Sequence, residues 1–546
     1  MPRFIRSRCR NGMRLTPDGH TAASHRPIHC SRLSSAIARK ILSQRHWSSA
    51  FSGDDRLSAL TDDLLLLILC RLDTRTALAT AALSKRWVGL TRGLDTLNFR
   101  VSDILPRRYH RGIHIHDEAS KHTYGFIVNY RGLYDSIMRY ERHAMRAMIT
   151  SINNFLDADD FHEQNNHGTR RIRTLRLEFF ATQCCSCMNR LIAKAIDTWG
   201  VEDLEVSGKG TFIRKDSHSF PNRGLCNNPH MSRLRSLKLA ACFIPPLQGF
   251  TALTSLVLQD LQKSTPAAAY EAICTLCPQL QVLHLKSCDN GGVVAIDAPR
   301  SEIRQLIFED CSFKQIKLYT LPMLENLVVV NTVVKYNLSS FPYLTHLNLT
   351  ICLGITKGRF CCTKDYFELN LFLGVRPGIT NLVTRFTGYD RWFKPFSSTL
   401  LLPNLRKLLV ADVPSSWDVS WPHLLIEAAP CLESLHINIT PWEEEPCDDI
   451  SWLSSEFCHN QLKELVIVGF EGTKRQIYLI NFVIQASTVL QHVSLYKKGH
   501  IQYRGFWDWD IVTEQYQWDN EEKVKILKQI AENVSCQETP IQVSLE

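Results

Sequence analysis

No stretch of this 546-residue chain approaches the ~20 consecutive apolar residues a membrane-spanning helix needs. The run from Leu64 to Cys70, in "DDLLLLILCRL" (62–72), stops after seven residues. It also lies too deep in the chain, and behind two acids, to be the core of a secretion signal. Catalytic signatures are missing as well. There is no Gly-rich phosphate loop, no paired-His metal motif and no G-x-S-x-G, and the 20 histidines are scattered without ligand spacing. Acid is nearly absent from one place: residues 1–50 hold ten Lys/Arg against Asp18 alone, which accounts for the whole net charge of +9. The remaining chain is therefore neutral, which argues against a basic nucleic-acid-binding face. Residues 1–53 have the composition of a disordered basic tail or of an organelle transit peptide.

Cysteine is plentiful, with 19 residues, but an odd count in a large chain without a signal fits free thiols better than a disulfide framework. Cys184-Cys185-x-Cys187 and Cys274-x-x-Cys277 both read as C-x-x-C, yet they lie about 90 residues apart, and a structural zinc needs four converging ligands. No metal and no cofactor is expected. The acidic "WEEEPCDD" (442–449) reads as a solvated loop.

What is present begins with helices. Thr61 can cap a helix whose first turn holds Asp62 and Asp63, where carboxylates favour the positive end of the dipole. Leu64, Leu65, Ile68, Leu69 and Leu72 then recur at helical spacing. Asp73-Thr74 and Ser84 offer caps for two further short helices. Three such helices bury too little apolar surface to be stable alone, so this unit needs a partner or a neighbouring domain. A longer helix is expected near 131–156, with Ile137, Tyr140, Ala144, Met148, Ile152 and Phe155 as its apolar stripe.

From about residue 172 a repeat takes over, of the form L-x-x-L-x-L with a Cys, Asn or small residue following. "LRSLKLAAC" carries Leu234, Leu237, Leu239 and Cys242. "LQVLHLKSC" carries Leu280, Leu283, Leu285 and Cys288. Ile303, Leu306, Phe308 and Cys311 form a third copy, and Leu344, Leu347, Leu349 and Cys352 another. Spacings of 19 to 27 residues between 234 and 344 fall near the range of about 20–29 for leucine-rich repeats. The fold class is thus α/β: a small helical unit followed by a curved solenoid with parallel strands on its concave wall. Residues between the repeat leucines point outward there. They include Lys238, Val257, His284, Lys286, Ile307, Glu309, Val328, Val330, His346, Asn348, Leu409, His436, Val466 and Val468. Several are apolar, which suggests a partner surface or cover by a chain segment such as the C-terminal tail. Of this row, Lys238, His284, Lys286, Ile307, Val328, Val330, His346, Leu409, His436 and Val466 are the candidate protein-binding residues.

The order of these parts is the basis for a resemblance. "DRLSALTDDLLLLILCRLDTRTALATAALSKRWVGLTRGLDTLNF" (55–99) resembles an F-box, in its Asp55-Arg56-Leu57-Ser58 start, its Leu60 before the acidic cap, its leucine helix and its final Leu97–Phe99. The family usually has Leu-Pro where this chain has Leu60-Thr61; Thr can still cap the helix, but one apolar docking contact is weakened. With the repeats, the chain is similar to plant-type F-box/leucine-rich-repeat proteins, and "NQLKELVIVGFEGTKRQIYLINFVIQASTVLQHVSLYKKG" (460–499) resembles their FBD module. The parts implied are a basic tail (1–53), the F-box (54–99), a helical linker (100–168), repeats (169–459), the FBD-like segment and a C-terminal tail (500–546) with a helix at "EEKVKILKQIAENV". The resemblance implies a non-catalytic substrate adaptor of a Skp–cullin–F-box ubiquitin ligase, working in nucleus or cytoplasm. The F-box would bind a Skp-type adaptor, and through it a cullin and a RING subunit, while the repeats hold an unidentified protein substrate. By motif match, Leu57, Leu60, Leu64, Ile68, Leu72, Leu78, Leu83 and Trp87 are the candidate adaptor contacts. The alternative is a repeat scaffold that no longer engages the ligase.

Overall fold

The structure is a computed structural model that describes residues 57, 59–121, 130–164, 169–181, 185–336, 341–352, 367–368, 378–387, 393–394, 402–415, 425–441, 458–534 and 541–546. The basic tail, the start of the F-box motif before Leu57, Ser58, Cys184 and the acidic 442–449 loop lie outside them. Among the described residues, no helix is long and apolar enough to cross a membrane. The chain divides into two compact units, Met1–Ile68 and Leu69–Glu546.

In the first unit, the Leu60 N–H donates to the Leu57 carbonyl (3.1 Å), and the Leu65 N–H donates to Thr61 (3.0 Å) to open helix α1, Asp62–Leu69. Asp62 and Asp63 occupy its first turn, where the unpaired N–H groups stabilise negative charge. Leu65 is fully buried, whereas Leu57 and Ile68 are 54% and 39% exposed.

The second unit begins with two short helices, α2 (Thr74–Ala79) and α3 (Lys85–Arg92). Asp73 caps α2 by accepting the Thr76 N–H at 2.9 Å. Ser84 holds the N-cap position of α3 with extended backbone, but its hydroxyl makes no capping bond. The chain then enters strand β1, Thr96–Arg100. The Thr74 hydroxyl accepts the Asn98 N–H at 2.7 Å and so ties α2 to β1. Helices α4 (Arg107–Lys121) and α5 (Tyr130–Gln164) follow. The stripe of α5 buries Ile137, Ala144, Met148 and Ile152 and leaves Tyr140 and Phe155 half-buried.

Strand β1 is the edge of a 15-stranded, all-parallel sheet. Its further strands are β2 (Thr174–Phe180), β3 (Asp203–Lys209), β4 (Ser236–Ala240), β5 (Ser255–Gln259), β6 (Val282–Lys286), β7 (Gln305–Glu309) and β8 (Asn326–Val330). They continue with β9 (His346–Cys352), β10 (Asn381–Thr387), β11 (Lys407–Pro414), β12 (Ser434–Thr440), β13 (Glu464–Val468) and β14 (His492–Tyr496), and the fifteenth strand, Gln542–Leu545, pairs with β14 at the far edge. Strands β13 and β14 flank helix α7, Lys474–Ala486, which Thr473 and Gln476 close with a capping box. Helix α6, Ser186–Asp197, packs on α5, and helix α8 spans Asn520–Val534.

Five successive repeats, β4 to β8, turn a sharp corner after their strands. Ala241, Asp260, Ser287, Asp310 and Asn331 all take left-handed backbone, with φ between 47° and 53°. Asp, Asn and Ser tolerate this region better than bulky residues do. Each corner N–H then reaches into the next repeat: Ala241 to Gln259, Asp260 to Lys286, Ser287 to Glu309, Asp310 to Val330 and Asn331 to Thr350, at 2.7–2.9 Å. At the same corner after β13 stands Gly469 (φ 78°), where a Cβ would collide with the Ile439 carbonyl. The residue behind the corner is buried. Cys288 and Cys311 turn their thiols to the Leu258 and Leu285 carbonyls of the preceding repeats, both at 3.3 Å. These cysteines act as small apolar residues with weak donors.

Asp159, 3% exposed, joins the helices to the repeats. Its carboxylate accepts from Arg170 Nε at 3.3 Å and from Trp199 Nε1 at 3.0 Å, and lies 3.1 Å from Lys194 Nζ. Arg170 also donates to the Thr91 carbonyl of α3 at 3.2 Å. Removing one member of such a cluster leaves an unpaired buried charge. Asp159→Ala is therefore expected to destabilise the second unit by about 3–5 kcal/mol, read as a lower urea midpoint at unchanged slope.

Candidate functional site

Of the eight candidate adaptor contacts, none is buried. Leu72 and Leu83 are 41% and 68% exposed in the second unit, and Leu78 and Trp87 are half-buried. In the first unit, Leu60 and Leu64 are half-buried beside the exposed Leu57 and Ile68. The core positions are others: Leu65, Leu69, Leu90 and Leu94. Helical spacing alone does not separate Leu64 and Ile68 from Leu65 and Leu69, because both pairs are four residues apart. Leu78 lines a cavity of about 430 Å³ with Val88, Phe99, Met148, Phe155 and Arg170, between α2, α3, β1 and α5.

The outward positions of the sheet form continuous rows, because the strands pair without offset up to β11. One row runs Glu205, Lys238, Val257, His284, Ile307, Val328, Asn348, Val383, Leu409, His436, Val466. Its chemistry changes along its length. Near β3 and β4 it is charged and self-paired: Lys238 Nζ lies 2.7 Å from Glu205. On β6 and β7, His284 and Lys286 both contact Glu309, at 3.2 and 2.7 Å. Burial pushes Glu309 up, but the bonds from His284 and Lys286 outweigh it and hold the carboxyl below its usual range. Beyond this the row becomes apolar.

That apolar stretch is covered by the chain itself. After β14 the chain forms an antiparallel hairpin, β15 (Gly499–Arg504) and β16 (Asp508–Thr513). Ile501 and Trp509 pack on Val383, Leu409 and Ala411. Asn348 Nδ2 donates to the Phe506 carbonyl at 2.6 Å, and the Phe506 ring meets His284 edge-on, with centroids 5.8 Å apart. Four of the ten candidate protein-binding residues, Ile307, Val328, Leu409 and Val466, are buried rather than at the surface, at 5%, 0%, 0% and 3% exposure, and Leu409 lies directly under Ile501 and Trp509. Lys238, His284, Lys286, Val330, His346 and His436 keep partial exposure. Burial holds His346 below the usual histidine range.

His436 is the most fully bonded residue of the row. Its Nδ1 accepts the Trp509 indole N–H at 2.7 Å, and its Nε2 lies 2.9 Å from Ser434 Oγ and 3.2 Å from Glu464 Oε2. An Nδ1 that accepts leaves the proton on Nε2, which fixes the tautomer. The hydrogen bond from His436, with that of Ser434, holds Glu464 down to about 2 despite its burial. The sequence offered a signal for the hairpin that is easily read as tail: Ile501 and Tyr503 alternate with polar residues, Gly505 follows, and Trp509 and Ile511 alternate again.

The family model described as "At1g61320/AtMIF1, LRR domain" matches residues 164–505. Among curated proteins, F-box protein At3g62230 of Arabidopsis thaliana is 24% identical over 268 residues, covering 48% of this chain and 50% of the relative. Putative F-box protein At1g67390, from the same plant, is 42% identical over 60 residues, covering 11% of this chain and 12% of the relative. The matches thus span half or less of these relatives' lengths.

A carboxyl held low in the folded state stabilises above its ordinary pKa and loses that contribution as pH falls through the folded value. Glu464→Gln should therefore be less stable than the wild type above pH 4.5, with the difference closing as pH falls to about 2. Urea midpoints of both proteins across that range measure it.

Proposed function

From the premise that this chain belongs to the At1g61320/AtMIF1 leucine-rich-repeat family, with F-box proteins among its relatives, we propose that it is a substrate-recognition adaptor of a Skp–cullin–F-box ubiquitin ligase. The observation that carries this reading is the exposure of Leu83, 68% in the turn before α3, the helix that leads into the repeat sheet. An isolated exposed leucine needs no explanation. Leu83 stands in the "LSKRW" portion of the F-box resemblance, with Leu72 also exposed and Trp87 half-buried. Aromatic anchors and central apolar residues dominate protein interfaces, and these side chains suit a Skp-type adaptor.

On this reading the protein makes no covalent intermediate. Its contribution is proximity, since holding two reactants together removes much of the entropic barrier to their reaction. The Asp159 cluster would keep α3 fixed to the repeats. The FBD-like segment 460–499 would continue the substrate-binding array, and the complex would act in nucleus or cytoplasm. A repeat scaffold without ligase contact is the competing reading, favoured by Thr61 where the family usually has Pro.

Co-purification with a Skp-type adaptor separates the two. The intact chain should retain the adaptor, and Leu83→Asp should weaken binding by about 2–4 kcal/mol, as for loss of a hot spot, without lowering the urea midpoint. Absence of binding by the intact chain at micromolar concentration would favour the scaffold.

A further inference from the structure

An isolated two-stranded hairpin is marginally stable in water, and β15–β16 is held from one side. Ile501 pairs with Ile511 and Tyr503 with Trp509. Directly opposed residues share a face, and this is the face that lies on the sheet. The other face carries His500 with Val512, Gln502 with Asp510 and Arg504 with Asp508. Arg504 and Asp510 pair there, with side chains 72% and 39% exposed. Directional contacts to the sheet include the Trp509 indole on His436 and the Phe506 carbonyl on Asn348. At the hairpin's tip the Trp507 indole nitrogen is buried and finds no hydrogen-bond partner among the described residues, which subtracts from the seat's stability. The base is held separately. Lys497 Nζ lies over the rings of Tyr516 and Trp518 at 4.5 and 4.4 Å, and the Glu514 N–H donates to Lys498 at 3.2 Å. A ribbon clasped at its base, forming a two-stranded sheet of its own and held along its length by side-chain contacts, can swing away without loss of the repeats.

We propose that β15–β16 is a displaceable strap, and that the strip from His284 to Val466 binds in its place an extended segment of the protein substrate with aromatic and aliphatic side chains at alternate positions. This rests on the reading that the repeats hold the substrate. The strap shows what chemistry the strip accepts. His436 Nδ1 takes an N–H donor of the indole kind. Asn348 takes a main-chain carbonyl, and Val383, Leu409 and Ala411 take aliphatic or aromatic side chains. Lys286 and Glu309 already neutralise each other beside the strip, so a highly charged segment gains little there.

Native-state hydrogen exchange on the full-length chain, at a series of sub-denaturing urea concentrations, tests this. Amides of 499–513 should exchange through an opening of their own, with a smaller urea dependence than the amides of β12 and β13. In full-length Trp509→Ala, exchange of 499–513 should rise roughly tenfold with β12 and β13 unchanged. A synthetic peptide of residues 497–516 should bind this variant roughly tenfold more tightly than it binds the wild type, as expected when a competing occupant is weakened. Exchange of 499–513 in the wild type with the same free energy as β12 and β13 would overturn the proposal, whether or not the variant folds. Equal peptide binding by the two folded proteins would overturn it as well. No ligase subunit enters these measurements, so their failure and a failure of adaptor binding are distinguishable.

Discussion

The N–H of a single left-handed residue, placed after each of the strands β4 to β8 and donated to a carbonyl near the end of the next strand, is the contact on which this structure depends. Parallel strands cannot be joined by a tight hairpin and need a crossover. The corner sets the direction of that crossover, while its N–H holds the neighbouring repeat in register. From Ala241 to Asn331 the same bond recurs across five successive corners. Side chains at equivalent positions therefore stand in rows. The leucine rows close the core, and the thiols of Cys288 and Cys311 fill the space behind the corners.

The outward row follows from the same register, and its chemistry creates a problem the repeats do not solve. Burying apolar surface stabilises by roughly 25 cal/mol per Å², so the row of Ile307, Val328, Val383 and Leu409, broken only by Asn348, would be costly to leave in water. The hairpin after the last full strand–helix–strand repeat covers it. At the other end, β1 completes the sheet by drawing on the segment that follows the F-box helices. The second unit is thus built on one long sheet whose first strand is bonded to α2 through Thr74, and the hairpin that follows β14 returns over its face.

Much of this was legible in the sequence. The acidic start of α1, the Asp73 cap, the stripe of α5 and the repeat strands all follow from local rules of periodicity and capping. The outward register of Lys238, His284 and His436 follows from the spacing of the leucines around them. What local rules miss is cover. Whether Leu409 faces water depends on Trp509, a hundred residues later, and no periodicity around Leu409 encodes that. The same holds at the F-box helices, where Leu64 and Leu65 are equivalent by composition and only packing makes one half-buried and the other core. Strand β1 was hidden because "DTLNF" is short and its partner β2 lies beyond two helices.

The central claim is that adaptor and substrate are held on different parts of the molecule. Hydrogen-exchange footprinting of the full-length chain, with and without a Skp-type adaptor, tests it most directly. Added protection within residues 69–92, with exchange across β6 to β13 unchanged, is the expected result. Protection on β6 to β13, or none within 69–92, would contradict it.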